Sequence, residues 1–146
     1  MADDKRVYLF DTTLRDGAQT QGVDFSVADK VAIARALDEI GIDYIEGGWP
    51  GANPTDDRFF AAPPTFKRSK FVAFGMTRRA GRSASNDPGL NALVGTAART
   101  VCMVGKTWDF HVDVALELDR GEYLEMIGDS TSSRGRKRTS WWWTRP

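Results

Sequence analysis

The chain has one cysteine and one histidine in 146 residues. Cys102 cannot close an internal disulfide, and its place in the apolar run TVCMV reads as a core position rather than a nucleophile. Long apolar runs are also missing. The opening MADDKRVYLFD sets charges before a short apolar stretch, far below the roughly 20 residues a membrane span needs. No signal-peptide cleavage pattern follows it, so a protein without a membrane segment, in the cytoplasm, is expected. There is no net charge of either sign, since 20 Lys and Arg balance 20 Asp and Glu. The balance hides a split: Arg134, Arg136, Lys137, Arg138 and Arg145 follow Ser130 with no acidic residue among them. The body is acidic and the tail basic, which divides the chain into a domain over 1–130 and a tail over 131–146.

What is present suits one soluble domain with a sizeable core, at 41% hydrophobic residues. Val7 to Asp11 reads as a strand, followed by the turn-like TTLRDG. Ser26 with Asp29 three residues on is a helix start, and Gly41 is a stop. Between them Val27, Val31, Ala34, Leu37 and Ile40 recur at helical spacing, leaving Asp29, Lys30, Arg35 and Asp38 as the expected exposed face. IDYIE reads as a second strand, closed by the Gly- and Pro-rich GGWPGANP, with room for a short helix from Asp56 to Phe60. KFVAFG is a third strand. Asp87 and Pro88 cap a helix through Leu90 to Ala97, and TVCMVG is a fourth strand. A last helix is predicted from Val112 to Ile127, with Gly121 a weak point in it. Apolar strands alternating with helix-length segments indicate parallel βα units with both sheet faces covered.

Chemistry concentrates in LFDTTLRDGAQTQG, at the carboxyl end of the first strand, where parallel α/β folds bind ligands. Arg15 is suited to clamp a carboxylate or steady a developing negative oxygen, and Asp16 to give an oxygen to a divalent ion. Taken alone, Arg-Asp-Gly reads first as a solvated turn.

Four ordered segments carry a resemblance: LFDTTLRDGAQTQGVDFS, DYIEGGWPGANPTD, AFGMTRRAGRSA and VGKTWDFHV. Over Tyr8 to Ser130 they resemble the citramalate synthase branch of the family that includes 2-isopropylmalate synthase, homocitrate synthase and hydroxymethylglutaryl-CoA lyase. The resemblance implies a (β/α)8 TIM barrel, of which this chain holds about the first four βα units followed by an irregular tail. It implies an acyltransferase that joins acetyl-CoA to a 2-oxo acid, pyruvate in this branch, on a divalent metal (Mg, Mn or Zn), in isoleucine biosynthesis. Residue by residue, Asp16 resembles the first metal ligand and Arg15 the arginine at the enolate-like oxygen. Gln19 and Glu46 fall where strand ends shape the substrate pocket. Lys106 is placed to meet a carboxylate or a CoA phosphate, or else is a solvated loop lysine. The family pattern also has a His-x-His metal pair on a later strand. His111, within WDFHV, is the sole histidine here, so the pair is missing, stable metal binding is not expected, and His111 is either a junction residue or part of the pocket.

After Ser130 the resemblance stops, and TSSRGRKRTSWWWTRP has neither helical nor strand periodicity. A basic segment with aromatics can bind nucleic acid, or dock on a partner, or be an out-of-frame translation. Tryptophan has the single codon TGG, so WWWT is written TGG TGG TGG ACN. Read one nucleotide earlier this gives Leu, Met or Val, then Val-Val-Asp, an apolar strand with an acidic end. The resembled pattern has a fifth strand ending Asp-Ala-Glu-His at about this distance. A single-nucleotide change between Gly128 and Ser133 is therefore favoured over a nucleic-acid-binding tail. A barrel fragment with open edges is expected to associate with itself and to be inactive alone. The intact relatives' alternative substrates, as in 2-isopropylmalate or homocitrate synthesis, stay open.

Overall fold

The computed structural model describes residues 6–132 and the backbone of residues 140–143. Strand and helix alternate as β1 (Phe10–Asp11), α1 (Val27–Ile40), β2 (Tyr44–Glu46), α2 (Pro54–Ala61), β3 (Lys70–Met76), α3 (Pro88–Gly95), β4 (Thr100–Val104), α4 (Arg120–Ser132) and β5 (Ser140–Trp143). The strands lie side by side in chain order, every pair parallel. Sequential order without a reversal is the arc of a barrel wall; a doubly wound sheet would reverse its order at a switch point.

Local signals set the element ends. Ser26 and Asp29 form the reciprocal capping box at the start of α1, with Asp29 N–H donating to Ser26 Oγ at 3.2 Å and Ser26 N–H to Asp29 Oδ2 at 2.9 Å. At its other end Gly41 takes φ 90°, which lets the N–H groups of Gly41 and Ile42 return to the last-turn carbonyls of Asp38 and Leu37. Asn53 caps α2 and Asp87 caps α3, each followed by proline in the first turn.

Strand alternation sorts side chains into two layers. Ile45, Phe71, Ala73, Val101 and Met103 face the helices and pack with Leu14, Ala34, Phe59, Leu90 and Leu93. Tyr44, Val72, Phe74 and Cys102 face the concave side, joined there by Phe10, Trp49 and Val104. Glu46, two residues beyond Tyr44, shares the concave parity and ends β2.

Several sequence expectations are corrected. Lys30 and Asp38, assigned to the solvated face of α1, are buried, at 3% and 5% exposure. Ile40, assigned to the core, is exposed. Helical spacing already contains the reason, since Lys30 lies three residues after Val27 and four before Ala34, and Asp38 four after Ala34; both are on the buried stripe and both have partners. Asp38 accepts the backbone N–H groups of Lys67, Arg68 and Ser69 at 2.7, 2.9 and 2.7 Å, tying α1 to the approach to β3. Burial pushes its carboxyl up, but those bonds prevail and hold it well below the usual carboxylate range. The last helix begins at Arg120; the segment predicted to start it forms a π-helical turn over His111–Ala115, broken by Glu117 at φ 52°. Gly121 thus lies in the first turn of α4, where Asp119 accepts its N–H at 2.8 Å, and not as a weak point mid-helix.

The segment expected to be irregular contributes β5, paired with β4 in the register Cys102↔Trp141. Residues 133–139 and 144–146 lie outside the described residues, and so does most of the expected out-of-frame or disordered tail. β1 and β5 are the two ends of the sheet, and beside β1 the side chains of Val7, Tyr8 and Leu9 are exposed. Among the described residues no helix is long and apolar enough to cross a membrane.

Candidate functional site

Beyond β1 the chain winds on itself, because the Thr12 carbonyl accepts N–H groups from Arg15, Asp16 and Gly17 at 3.0, 2.7 and 3.3 Å. Asp11 braces the start of this turn by accepting from the N–H and the hydroxyl of Thr13 at 2.9 and 3.0 Å. The winding sends Leu14 into the helix-facing core, fully buried, and turns Arg15 back over the concave side. There the Arg15 guanidinium carbon lies 3.4 Å from the centroid of the Phe74 ring, a cation over a π face. One guanidinium nitrogen pairs with Asp16, whose side chain is about half exposed, while the buried Nε has no hydrogen-bond partner.

Glu46 is the second element. It is 2% exposed at the end of β2, and burial raises its carboxyl to about 7. A hydrogen bond with Cys102 and the charge of Arg15 pull against that rise, while Asp16 adds to it. Cys102 responds reciprocally: burial first, then the Glu46 carboxylate, pushes its thiol up to about 12, so it stays protonated. Arg15 and Asp16 from the loop after β1, Glu46 from the end of β2 and Cys102 from β4 therefore form one electrostatically coupled group.

A cleft of about 330 Å³ opens beside this group, with walls that include Arg15, Gln19, Lys30, Trp49, Asn53 and Asp56. Gln19 ends the short 3-10 turn Gly17–Gln19 and is exposed at the cleft. Lys106 lies elsewhere, past the end of β4, its backbone N–H held by the Tyr123 hydroxyl of α4, and it does not line the cleft. His111 sits at the strand-to-helix junction with its ring edge-on to Trp108, centroids 4.7 Å apart. The structure thus unites Arg15, Asp16 and Glu46, sets Gln19 beside them, and leaves Lys106 outside the cleft walls.

Three residues of the site carry no functional signal of their own in the sequence: Cys102, Lys30 and Asp56. Cys102 was assigned to the core, and it is buried, yet its thiol also meets Glu46. Lys30 and Asp56 form a buried ion pair in the cleft wall. For Lys30 the available signal was a charged residue on an apolar helical stripe; Cys102 offered only the concave parity it shares with Phe74, its register partner on β3.

Asp16, the residue expected to bind a metal, presents a half-exposed carboxylate paired with Arg15. Among the described residues no group of three His, Cys, Asp or Glu side chains comes together as a ligand set, so the residues of this part of the chain do not by themselves fit a metal centre.

Comparison with known proteins agrees with this geometry. The family model described as HMGL-like matches residues 6–139. The (R)-citramalate synthase of Streptomyces coelicolor is 48% identical over 140 residues, covering 92% of this chain and 26% of that protein. The 2-isopropylmalate synthase of Solidesulfovibrio magneticus is 34% identical over 137 residues, covering 94% of this chain and 26% of that protein. Among solved structures, hydroxymethylglutaryl-CoA lyase from Pseudomonas aeruginosa superposes with a TM-score of 0.71 at 19% identity, over 96% of this chain and 46% of that one. The five-stranded arc therefore corresponds to less than half of that fold, and the chain spans about a quarter of the length of the curated relatives it matches. With the strand-end site, the sequential parallel sheet and a family match over nearly the whole length, the chain belongs to the HMGL-like family.

Proposed function

We propose that this chain is the amino-terminal part of a citramalate-synthase-type acyltransferase, the class that condenses acetyl-CoA with pyruvate, here parted from the rest of its barrel by a change of reading frame. The observation that carries the reading is the margin in identity, 48% to a citramalate synthase against 34% to a 2-isopropylmalate synthase over almost the same span. That margin favours pyruvate, and a role in isoleucine biosynthesis, over the larger oxo acids of the sister branches.

In this reading Arg15 faces the oxygen on which negative charge develops, and the Phe74 ring and the Asp16 carboxylate keep it oriented although Nε–H donates to nothing. Glu46, with a carboxyl near about 7, can hold or release a proton close to neutral pH. Gln19 lines the way in, and Lys106 meets the anionic end of the acyl carrier. A divalent ion, if held in the intact protein, would supply Lewis-acid polarisation of the oxo acid. Asp16 would give it one oxygen, and the described residues do not complete a ligand set around it. Half a site of this kind does not turn over, and the open edges at β1 and β5 favour self-association.

The frame change is supported by the position of Ser140–Trp143. This segment runs parallel beside β4, where a fifth barrel strand belongs, and the codons through Thr144 read one nucleotide earlier encode an apolar strand ending in Asp. Sequencing the locus through the codons for Gly128 to Pro146 tests it: a neighbouring frame continuing into Asp-Ala-Glu-His and a later His-x-His pair is expected. No such continuation would leave the basic Trp-rich tail as genuine. Assay of the purified chain with acetyl-CoA, pyruvate and Mg²⁺, Mn²⁺ or Zn²⁺ should release no free CoA thiol; steady turnover would overturn the claim that it is inactive alone.

A further inference from the structure

The buried ammonium of Lys30 donates to three acceptors, and two of them are the backbone carbonyls next to the proposed site residues. Nζ lies 2.9 Å from the carbonyl oxygen of Leu14, which precedes Arg15, and 3.0 Å from that of Gly47, which follows Glu46. Its third partner is the Asp56 carboxylate on α2. Three acceptors use all three N–H bonds of an ammonium. Asp56 continues the tie, accepting the Trp49 N–H at 2.8 Å and the Asn53 side-chain amide at 3.1 Å, and it packs so closely on Gly48 that a Cβ there would stand 2.6 Å from its carboxylate.

We propose that Lys30 is a positioning residue: through the Leu14 and Gly47 carbonyls it sets the spacing between the loop that carries Arg15 and the strand end that carries Glu46. Core packing alone would not require an ion pair at this position, since an apolar pair of similar volume can replace a buried salt bridge without loss of stability. An apolar pair cannot bond the two carbonyls that lie beyond the ends of β1 and β2. Arg15 is sensitive to this tie, because its Nε donates to nothing and its one ion pair is to Asp16 of the same loop, so its place over Phe74 moves with that loop. A displacement of the Leu14 carbonyl would move the guanidinium off that ring.

The proposal rests on reading Arg15 and Glu46 as site residues, but its test is geometric. In the full 146-residue chain, the double substitution Lys30→Met with Asp56→Leu keeps the site apolar and leaves no charge unpaired. Expected is a chain with wild-type far-UV circular dichroism in which the Arg15 Nε–Hε resonance loses the upfield shift imposed by the Phe74 ring. A folded variant with that resonance unchanged overturns the proposal. A second measurement on the unsubstituted chain decides the matter if the variant does not fold: the Lys30 ammonium should give its own slowly exchanging proton–nitrogen peak, with Overhauser contacts to Leu14 and Gly47. A Lys30 signal that merges with those of surface lysines also overturns it. Either failure removes the tie and leaves the chemical assignment standing, whereas a wrong substrate leaves the tie intact.

Discussion

Phe74 of β3 supports Arg15 face-on, with the guanidinium carbon 3.4 Å from the ring centroid, and this one contact links the concave sheet layer to the loop after β1. It also places a permanent positive charge near a buried glutamate, and the Glu46 carboxyl remains raised to about 7 in spite of it. Burial outweighs the attraction, and that order of effects has measurable consequences.

Glu46→Gln should stabilise the fold at pH 8 and leave it nearly unchanged at pH 4. The folded carboxyl, near about 7, lies above its ordinary 4.5, so the folded state holds the proton more tightly and the contribution of Glu46 falls as pH rises through that window. The gain at pH 8 is at most about 3 kcal/mol. Urea unfolding of both proteins at the two pH values measures it, and parallel pH dependences would sink the assignment.

Asp38→Ala should cost about 2–4 kcal/mol, because it strands three loop N–H groups that have no other acceptor in their turn. Amide exchange at Lys67, Arg68 and Ser69 should accelerate well before that of β3. Because the Asp38 carboxyl is held low, its stabilising share is present above its ordinary 3.8 and is lost only as pH falls through the folded value. Unaltered exchange at those three amides would show that the cap is not what orders the loop.

Gly48→Ala should disrupt the loop after β2. The residue has φ 140°, which L side chains rarely adopt, and its new methyl would meet the Asp56 carboxylate. Backbone strain alone is worth about 1–3 kcal/mol. Proton exchange at the Trp49 amide, bonded to Asp56, is the direct reporter, and wild-type protection there would contradict the prediction.

Cys102 should resist alkylation at pH 8 in the native chain and react quickly in denaturant. Burial and the neighbouring Glu46 push its thiol up to about 12, which leaves little thiolate, the reactive form. Mass spectrometry of iodoacetamide-treated protein checks it; rapid native labelling would mean that the Glu46–Cys102 contact is open.

Elements with local punctuation were legible from the residues alone. Ser26, Asp29 and Gly41 bound α1, and Pro88 behind Asp87 starts α3, because capping and turn chemistry involve only near neighbours. The run TVCMV is β4 in full. Arg15 and Asp16 were also legible as candidates, since a strand end followed by a polar, glycine-containing turn is the ligand-binding end of a parallel unit. Where punctuation was weak the prediction slipped: the stretch from Trp108 to Asp119 has helical composition, but it winds a π turn and stops before α4 begins.

By itself, then, the sequence determined the alternation of strands and helices, the ends of the well-capped elements and the strand-end turn with its arginine and aspartate, because each depends on spacing or on contacts within a few residues. Only the tertiary structure decided that Lys30 and Asp38 are buried, that Cys102 meets Glu46, that burial raises the Glu46 carboxyl to about 7 and that Ser140–Trp143 joins the sheet. Each of these needs a partner from a distant element, Gly47 and Asp56 for Lys30 or β4 for β5, and neither desolvation nor strand pairing has a local pattern in the chain.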